Sequence, residues 1–195
     1  MTAAEQKALK LMDLYARIIQ DPQYRSRSMG DIFVPGVGLF EENTIVFIGE
    51  APGREEEKER LPFVGPAGKN LDILLEEIGL SRKRVFITNL VKYRPFTPKG
   101  ENRRPTARES RYALPYLLQE LEILAPPLVV CLGLSAAKTL LMDENLKMEK
   151  ANGNFYTIQA LRILVTYHPS PFNYRNPQKR DALHMAFSKI VPAGF

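Results

Sequence analysis

Apolar residues recur along the chain in two rhythms. Near the N-terminus Leu11, Leu14, Tyr15 and Ile18 fall three and four apart, one face of a helix over Thr2 to Gln20, and Thr2 with Glu5 has the spacing of a capping box. Leu71, Leu74, Leu75 and Ile78 repeat that spacing before Gly79, a residue suited to stopping a helix. Thr106 and Glu109 form a second capping box, opening a helix with Leu114, Leu117, Leu118 and Leu121 on one face, where Pro115 predicts a kink or a later start. A short helix is expected from Ser135, and Pro177 opens the last helix, with Leu183, Ala186, Phe187 and Ile190 on one side.

Between these helices lie short, unbroken apolar runs: Ile45 to Ile48, Val85 to Val91, Leu128 to Leu132 and Arg162 to Thr166, the last able to pair with Phe155 to Ile158 across a turn. Runs that are continuous rather than alternating belong to strands buried on both faces. Strands alternating with helices give an α/β protein whose parallel sheet is covered on both sides. In such sheets ligands bind at the carboxyl ends of the strands. Four loops leave those ends: Gly49 to Gly53, the segment from Asn89, Gly133 to Ser135, and Tyr167 to Ser170.

Composition narrows the choices. No stretch of about 18 apolar residues exists, and the longest apolar run, Leu121 to Leu134, contains Glu122, Pro126 and Pro127, so no membrane span is expected. Glu5, Lys7, Lys10 and Asp13 occupy the N-terminus without an apolar leader, which predicts a cytoplasmic protein. The single cysteine, Cys131, sits in an apolar run and excludes an intrachain disulfide. The net charge is +5, and between Lys92 and Arg111 seven cations stand against Glu101 and Glu109, a distribution suited to phosphate contacts or to a solvated basic face.

The loops carry the chemistry. In Gly49-Glu50-Ala51-Pro52-Gly53 the glycines let backbone approach a ligand, with Glu50, Glu55, Glu56 and Glu57 as nearby carboxylates. Phe63, flanked by proline and glycine, is either a stacking platform or a ring folded onto the core. Asn89 ends an apolar strand, where its amide satisfies backbone or reads a ligand edge with one donor and one acceptor. His168, one of two histidines, follows a strand directly.

In this order and spacing the segments IVFIGEAPG, PFVGPAGKNLDILL, VFITNLVKYRP, LVVCLGLSAAKTLL and VTYHPSPFNYRNP resemble the uracil-DNA glycosylase superfamily, most closely its family-four, iron–sulfur branch, from about Asp31 to the C-terminus. The resemblance implies a three-layer α/β/α sandwich around a central four-stranded parallel sheet, one domain over 1–195 with 1–30 as N-terminal helix and lead-in, and hydrolysis of the N-glycosidic bond of uracil in DNA. By the same resemblance Phe63 stacks on the flipped base, Asn89 binds its Watson–Crick edge, His168 stabilises charge on uracil O2, and Ala51 offers backbone near the attacking water. The carboxylate falls on Glu56 or Glu50, Glu56 being preferred. Ser170 to Arg175 form the loop that enters the duplex, and Lys92, Arg94, Arg103, Ser170 and Arg175 are the expected DNA contacts. The expected partner is uracil-containing DNA, bound by a monomer, with no membrane involved.

One departure stands out. The family's four cluster cysteines include one in a KCRPP segment, which here reads Lys92-Tyr93-Arg94-Pro95-Phe96, and Asp21 to Gly30 contain none. One cysteine cannot hold a four-thiolate cluster. No metal or cofactor is therefore expected, and Tyr93 and Phe96 are expected to fill the space by packing. Competing readings are a non-catalytic binder of uracil or damaged DNA on the same fold, and a glycosylase for another deaminated base. An unrelated α/β enzyme acting on a phosphorylated small molecule would need a phosphate loop, and GEAPG lacks the ending of one.

Overall fold

The computed structural model describes residues 1–190, so the last five positions of the domain expected over 1–195 lie outside the described residues. In chain order the elements are α1 (Ala3–Gln20), β1 (Val37–Gly38), β2 (Val46–Gly49), α2 (Arg54–Glu59), α3 (Pro66–Glu77), β3 (Phe86–Asn89), α4 (Ala107–Leu124), β4 (Val129–Leu132), α5 (Leu134–Leu141), α6 (Met148–Ala151), β5 (Phe155–Ile158), β6 (Leu161–Thr166), α7 (Pro171–Arg175) and α8 (Pro177–Phe187), with a 3-10 turn at Arg82–Arg84 before β3.

Both capping boxes form. Thr2 and Thr106 accept from the backbone N–H of Glu5 and Glu109, whose carboxylates accept in return from the cap N–H groups. Pro115 neither kinks the start of α4 away nor delays it; the helix runs from Ala107 through the proline. Its buried face differs from expectation: Ala113, Leu117, Leu121 and Leu124 point inward together with Glu120, while Leu118 is 39% exposed. A charged residue holds a core position there, and apolar pattern alone does not mark such a position.

The sheet has six strands in the order β1-β3-β2-β4-β6-β5. The expected four-stranded parallel sheet is its centre, β3-β2-β4-β6. Antiparallel strands close each edge, β1 against β3 and β5 against β6. β1 is two residues long, too short to carry a period. Consecutive strand residues face opposite sides. Val46, Ile48, Val129, Cys131, Ile163 and Val165 pack with Leu11, Leu14, Leu117, Leu121 and Ala137 of α1, α4 and α5. Phe47, Val130, Leu132 and Leu164 pack with Leu71, Leu75, Leu183 and Phe187 of α3 and α8. The result is the three-layer sandwich.

Strand order fixes where a ligand fits. β2 lies between β3 and β4, and the chain leaves it first toward β3 and later returns to its other side. That reversal opens a crevice beyond the carboxyl ends of β2, β3 and β4. No helix of the described residues is long and apolar enough to cross a membrane.

Candidate active site

The crevice holds a cavity of about 730 Å³ whose walls include Glu50, Ala51, Glu56, Phe63, Asn89, Arg104 and His168. Six residues expected from sequence at a catalytic or base-binding site thus meet in one place, brought by the ends of β2, β3 and β6 and by the Pro62 to Gly65 loop.

Close packing around Gly49 sets the inner wall. A Cβ at Gly49 would lie 2.4 Å from Asn89 Oδ1 and 2.6 Å from the Phe63 ring, so only glycine lets the amide and the ring come together. Asn89 pairs with Gly49 across β2 and β3 and is 3% exposed. Among the described residues no protein group hydrogen-bonds its side-chain amide, which leaves one donor and one acceptor to face the cavity.

Phe63 is held in a costly backbone conformation, φ 55°, that few non-glycine residues adopt. Its carbonyl accepts from the Arg82 guanidinium, which also reaches the carbonyls of Pro62 and Gly68 and the Asp72 carboxylate. Gly68 allows the approach, since a Cβ there would lie 1.7 Å from the Phe63 carbonyl oxygen. The ring faces His168, 5.8 Å between centroids and 31° between planes.

The two candidate carboxylates differ. Glu56 accepts three backbone N–H bonds, from Gly53 at 3.0 Å, Val64 at 3.0 Å and Gly65 at 2.8 Å, tying the loop after β2 to the loop of Phe63. Its oxygens are committed to shaping the site, which argues against its preference as the reacting carboxylate. Glu50 is partly buried with Oε1 shut away from solvent and without a partner. Burial raises its pKa above the ordinary carboxylate value of 4.5, against the opposing pull of the Ser135 hydroxyl and the Arg104 charge. His168 is shifted the other way: burial, then the nearby Arg104 charge, lower it to about 4, with Glu56 opposing weakly. The imidazole is therefore neutral at physiological pH. Asn173 Nδ2 donates to the His168 carbonyl at 2.9 Å and Asn70 Nδ2 to that of Pro169 at 2.9 Å, fixing the loop that carries it.

The expected DNA contacts fare less well. Lys92 is 1% exposed, with its ammonium against Glu120 at 2.6 Å, and cannot reach a phosphate. Arg94 is 8% exposed and spends its guanidinium on Asn102, Glu57 and the Gly100 carbonyl. Arg103 is bidentate to Glu109 and bonds Ser28 and the Phe96 carbonyl, so it braces a loop. These three are corrected from phosphate contacts to internal struts. Arg175 is exposed. Ser170 caps α7 by accepting from Asn173 N–H at 3.3 Å, so the segment expected as a loop is one turn of helix. Two residues within the expected basic group and the expected duplex-entering segment were not singled out. Arg104 is exposed at the cavity mouth, and Phe172 on α7 is 78% exposed. The doublet Arg103-Arg104 was a signal, but only structure says which arginine turns inward to Glu109.

The residues near Tyr93 do not fit a four-thiolate cluster. Tyr93 is 5% exposed, with Tyr24 and Phe33 rings edge-on at 5.9 and 5.6 Å. Tyr24 in turn meets Tyr112 and Tyr116 at 6.3 and 5.3 Å. Phe96, expected to join this packing, lies instead beside the Arg94 guanidinium. Cys131 is buried in β4, where burial pushes its thiol up to about 12. Among the described residues no group of three or more His, Cys, Asp or Glu is placed to hold a metal ion.

Comparison with known proteins follows the same lines. The family model described as the uracil DNA glycosylase superfamily matches residues 35–189. The chain is 45% identical over 168 residues to a type-4 uracil-DNA glycosylase of Saccharolobus solfataricus, covering 82% of this chain and 75% of the relative. It is 41% identical over 165 residues to a protein of the same description from Archaeoglobus fulgidus, 81% and 80% of the two chains. A third, from Sulfurisphaera tokodaii, is 41% identical over 165 residues, 80% and 72% of the two chains.

Proposed function

Since the chain belongs to the uracil-DNA glycosylase superfamily, we propose that it excises uracil from DNA, hydrolysing the N-glycosidic bond of a base flipped out of the helix, and that it works as a monomer. The observation that carries this reading is the meeting of Phe63, Asn89 and His168 around one cavity with a buried carboxylate. All of these groups come from one chain, so no second copy is needed to complete the site.

A base inside the stack is out of reach, so the nucleotide turns into the cavity at a cost of a few kcal/mol. Stacking on Phe63 returns about 1–3 kcal/mol of this. Uracil presents N3–H and O4 where cytosine presents an acceptor and an amine. The Asn89 amide, free of protein partners, matches the first pattern and mispairs with the second. Sites that read polar groups in this way discriminate by about 10⁴-fold or more.

Bond cleavage sends the electrons of the C1′–N1 bond onto the uracil ring, where O2 carries much of the charge, and leaves C1′ cationic. Neutral His168 donates to that oxygen, and a preorganised donor of this kind is worth about 3–4 kcal/mol. Glu50 serves as the carboxylate: it takes a proton from the attacking water as the water adds to C1′, its charge stabilises the cation, and the uracil anion is protonated on release. The products are uracil and an abasic site. Glu56 shapes the pocket. Phe172, exposed on α7, is the residue that enters the gap left by the base, and Arg104, Ser170 and Arg175 lie on the surface that meets phosphates.

We also propose that this chemistry proceeds without an iron–sulfur cluster, with the aromatic packing around Tyr93 in its place. The test is incubation with uracil-containing oligonucleotides, single- and double-stranded, followed by alkali, alongside an iron assay. Cleavage at uracil by an iron-free protein supports the reading; no cleavage, or cleavage that survives both Asn89→Ala and His168→Ala, refutes it.

A further inference from the structure

Lys92 and Glu120 form a buried ion pair that the reaction described above does not use. Their side chains are 1% and 0% exposed, 2.6 Å apart. An ammonium has three donors, and Lys92 spends all three: on Glu120, on Thr88 Oγ1 at 2.5 Å, and on the backbone carbonyl of Asn89 at 2.9 Å. Glu120 is as fully engaged. Thr88 Oγ1 lies 3.2 Å from both its oxygens, and the Tyr15 hydroxyl donates to it while accepting from Gly36 N–H. The network joins α1, α4 and the end of β3 to one carbonyl, that of the residue whose amide faces the base.

Energetics make the placement informative. Burying two charges costs several kcal/mol, and replacing a buried pair by apolar side chains of similar volume is often neutral or stabilising. Stability therefore does not account for a pair at this spot. Geometry does. The Asn89 amide discriminates only if its donor and acceptor stay in register with the base edge, and an error of about 1 Å in such a group costs on the order of 10²-fold in rate. β2 holds the Asn89 strand from one side, and Lys92 grips its carbonyl as the chain leaves the sheet.

We propose that the Lys92–Glu120 pair is a positioning device for base recognition, holding the Asn89 main chain so that its amide accepts uracil. This rests on the reading of Asn89 as the base-recognising residue, and the experiment separates the two. Single-turnover excision of uracil is measured for Asn89→Ala, for Lys92→Met/Glu120→Leu, and for the three changes combined, with thermal midpoints for each. The expected result for Lys92→Met/Glu120→Leu is a folded protein with a rate constant lower by about 10- to 100-fold and half-saturation by DNA unchanged. Combining it with Asn89→Ala should add little to the loss from Asn89→Ala alone, because both act through one amide. Lys92→Arg keeps the charge but presents a planar fork instead of three diverging donors, and is expected to lose rate similarly.

Wild-type excision by either folded variant overturns the proposal, as does a loss that multiplies with that of Asn89→Ala. Failure of both variants to fold overturns it too, since the pair is then a structural requirement. If Asn89→Ala itself leaves excision intact, the base-reading assignment fails first.

Discussion

Glu50, just after β2, and Glu56, in the first turn of α2, are six residues apart, and the difference between them is a matter of hydrogen-bond supply. Three backbone amides engage both oxygens of Glu56, while Glu50 keeps a buried oxygen free. Glu50→Gln is expected to lower the excision rate by about 100-fold with little change in thermal midpoint. Glu56→Gln should cost about 1–3 kcal/mol of stability from amides left unpaired, readable in urea denaturation. The rate should also fall on the acid side as Glu50 takes up a proton, with an apparent pKa above 4.5, and that limb should vanish from what activity Glu50→Gln retains. His168 contributes to stability in a different window. It titrates at about 4 in the fold against 6.5 when free, so the unfolded chain binds its proton first and stability drops as pH falls from about 6.5 to about 4, by at most about 3 kcal/mol. His168→Gln should flatten that part of the stability profile. At this scale Asn89 and His168 were conspicuous as polar residues at the ends of apolar runs and Phe63 as an aromatic between proline and glycine, while the roles expected of them came from the family resemblance. Lys92, Arg94 and Arg103 were misread, because lysine and arginine are almost never buried without partners, and their partners lie 28, 37 and 6 residues away.

Elements carry these residues into place, and two of them invite tests. α7 presents Phe172 to solvent beside the loop of His168, with Lys179 above the ring at 5.2 Å. A wedge that fills a gap in the stack matters only where there is a stack. Phe172→Ala should therefore reduce excision from duplex DNA by about tenfold or more and leave single-stranded substrate nearly untouched; equal losses on both would remove the wedge role. The segment containing Tyr93 joins the N-terminal lead-in to α4 through aromatic contacts. Tyr93→Ala should cost about 3–5 kcal/mol by leaving a cavity, while Tyr93→Phe keeps the ring and changes stability little. Helix starts and strand positions were readable, since caps and apolar runs are local. The register of α4 was not, because Glu120 occupies a core position only by virtue of Lys92.

The whole molecule adds charge and shape. A net charge of +5, with Arg104 exposed at the cavity and Arg175 exposed at the end of α7, predicts affinity for DNA that weakens at least tenfold between about 50 and 200 mM salt. Arg104→Ala should reduce the slope of that dependence by about one phosphate contact; a slope unchanged by the substitution would place Arg104 off the DNA path.

Local order in the sequence determined the longer helices, the four central strands and the loops at their ends. Those properties depend on periodicity, caps and turn residues, which neighbours along the chain settle among themselves. Only the tertiary structure decided which cations are struts and which are free, which of two glutamates has an oxygen to spare, and that Gly49 admits an amide and a ring to the same point. Burial, pairing and close approach are relations between residues far apart in the chain, and they exist only once the sheet has brought those residues together.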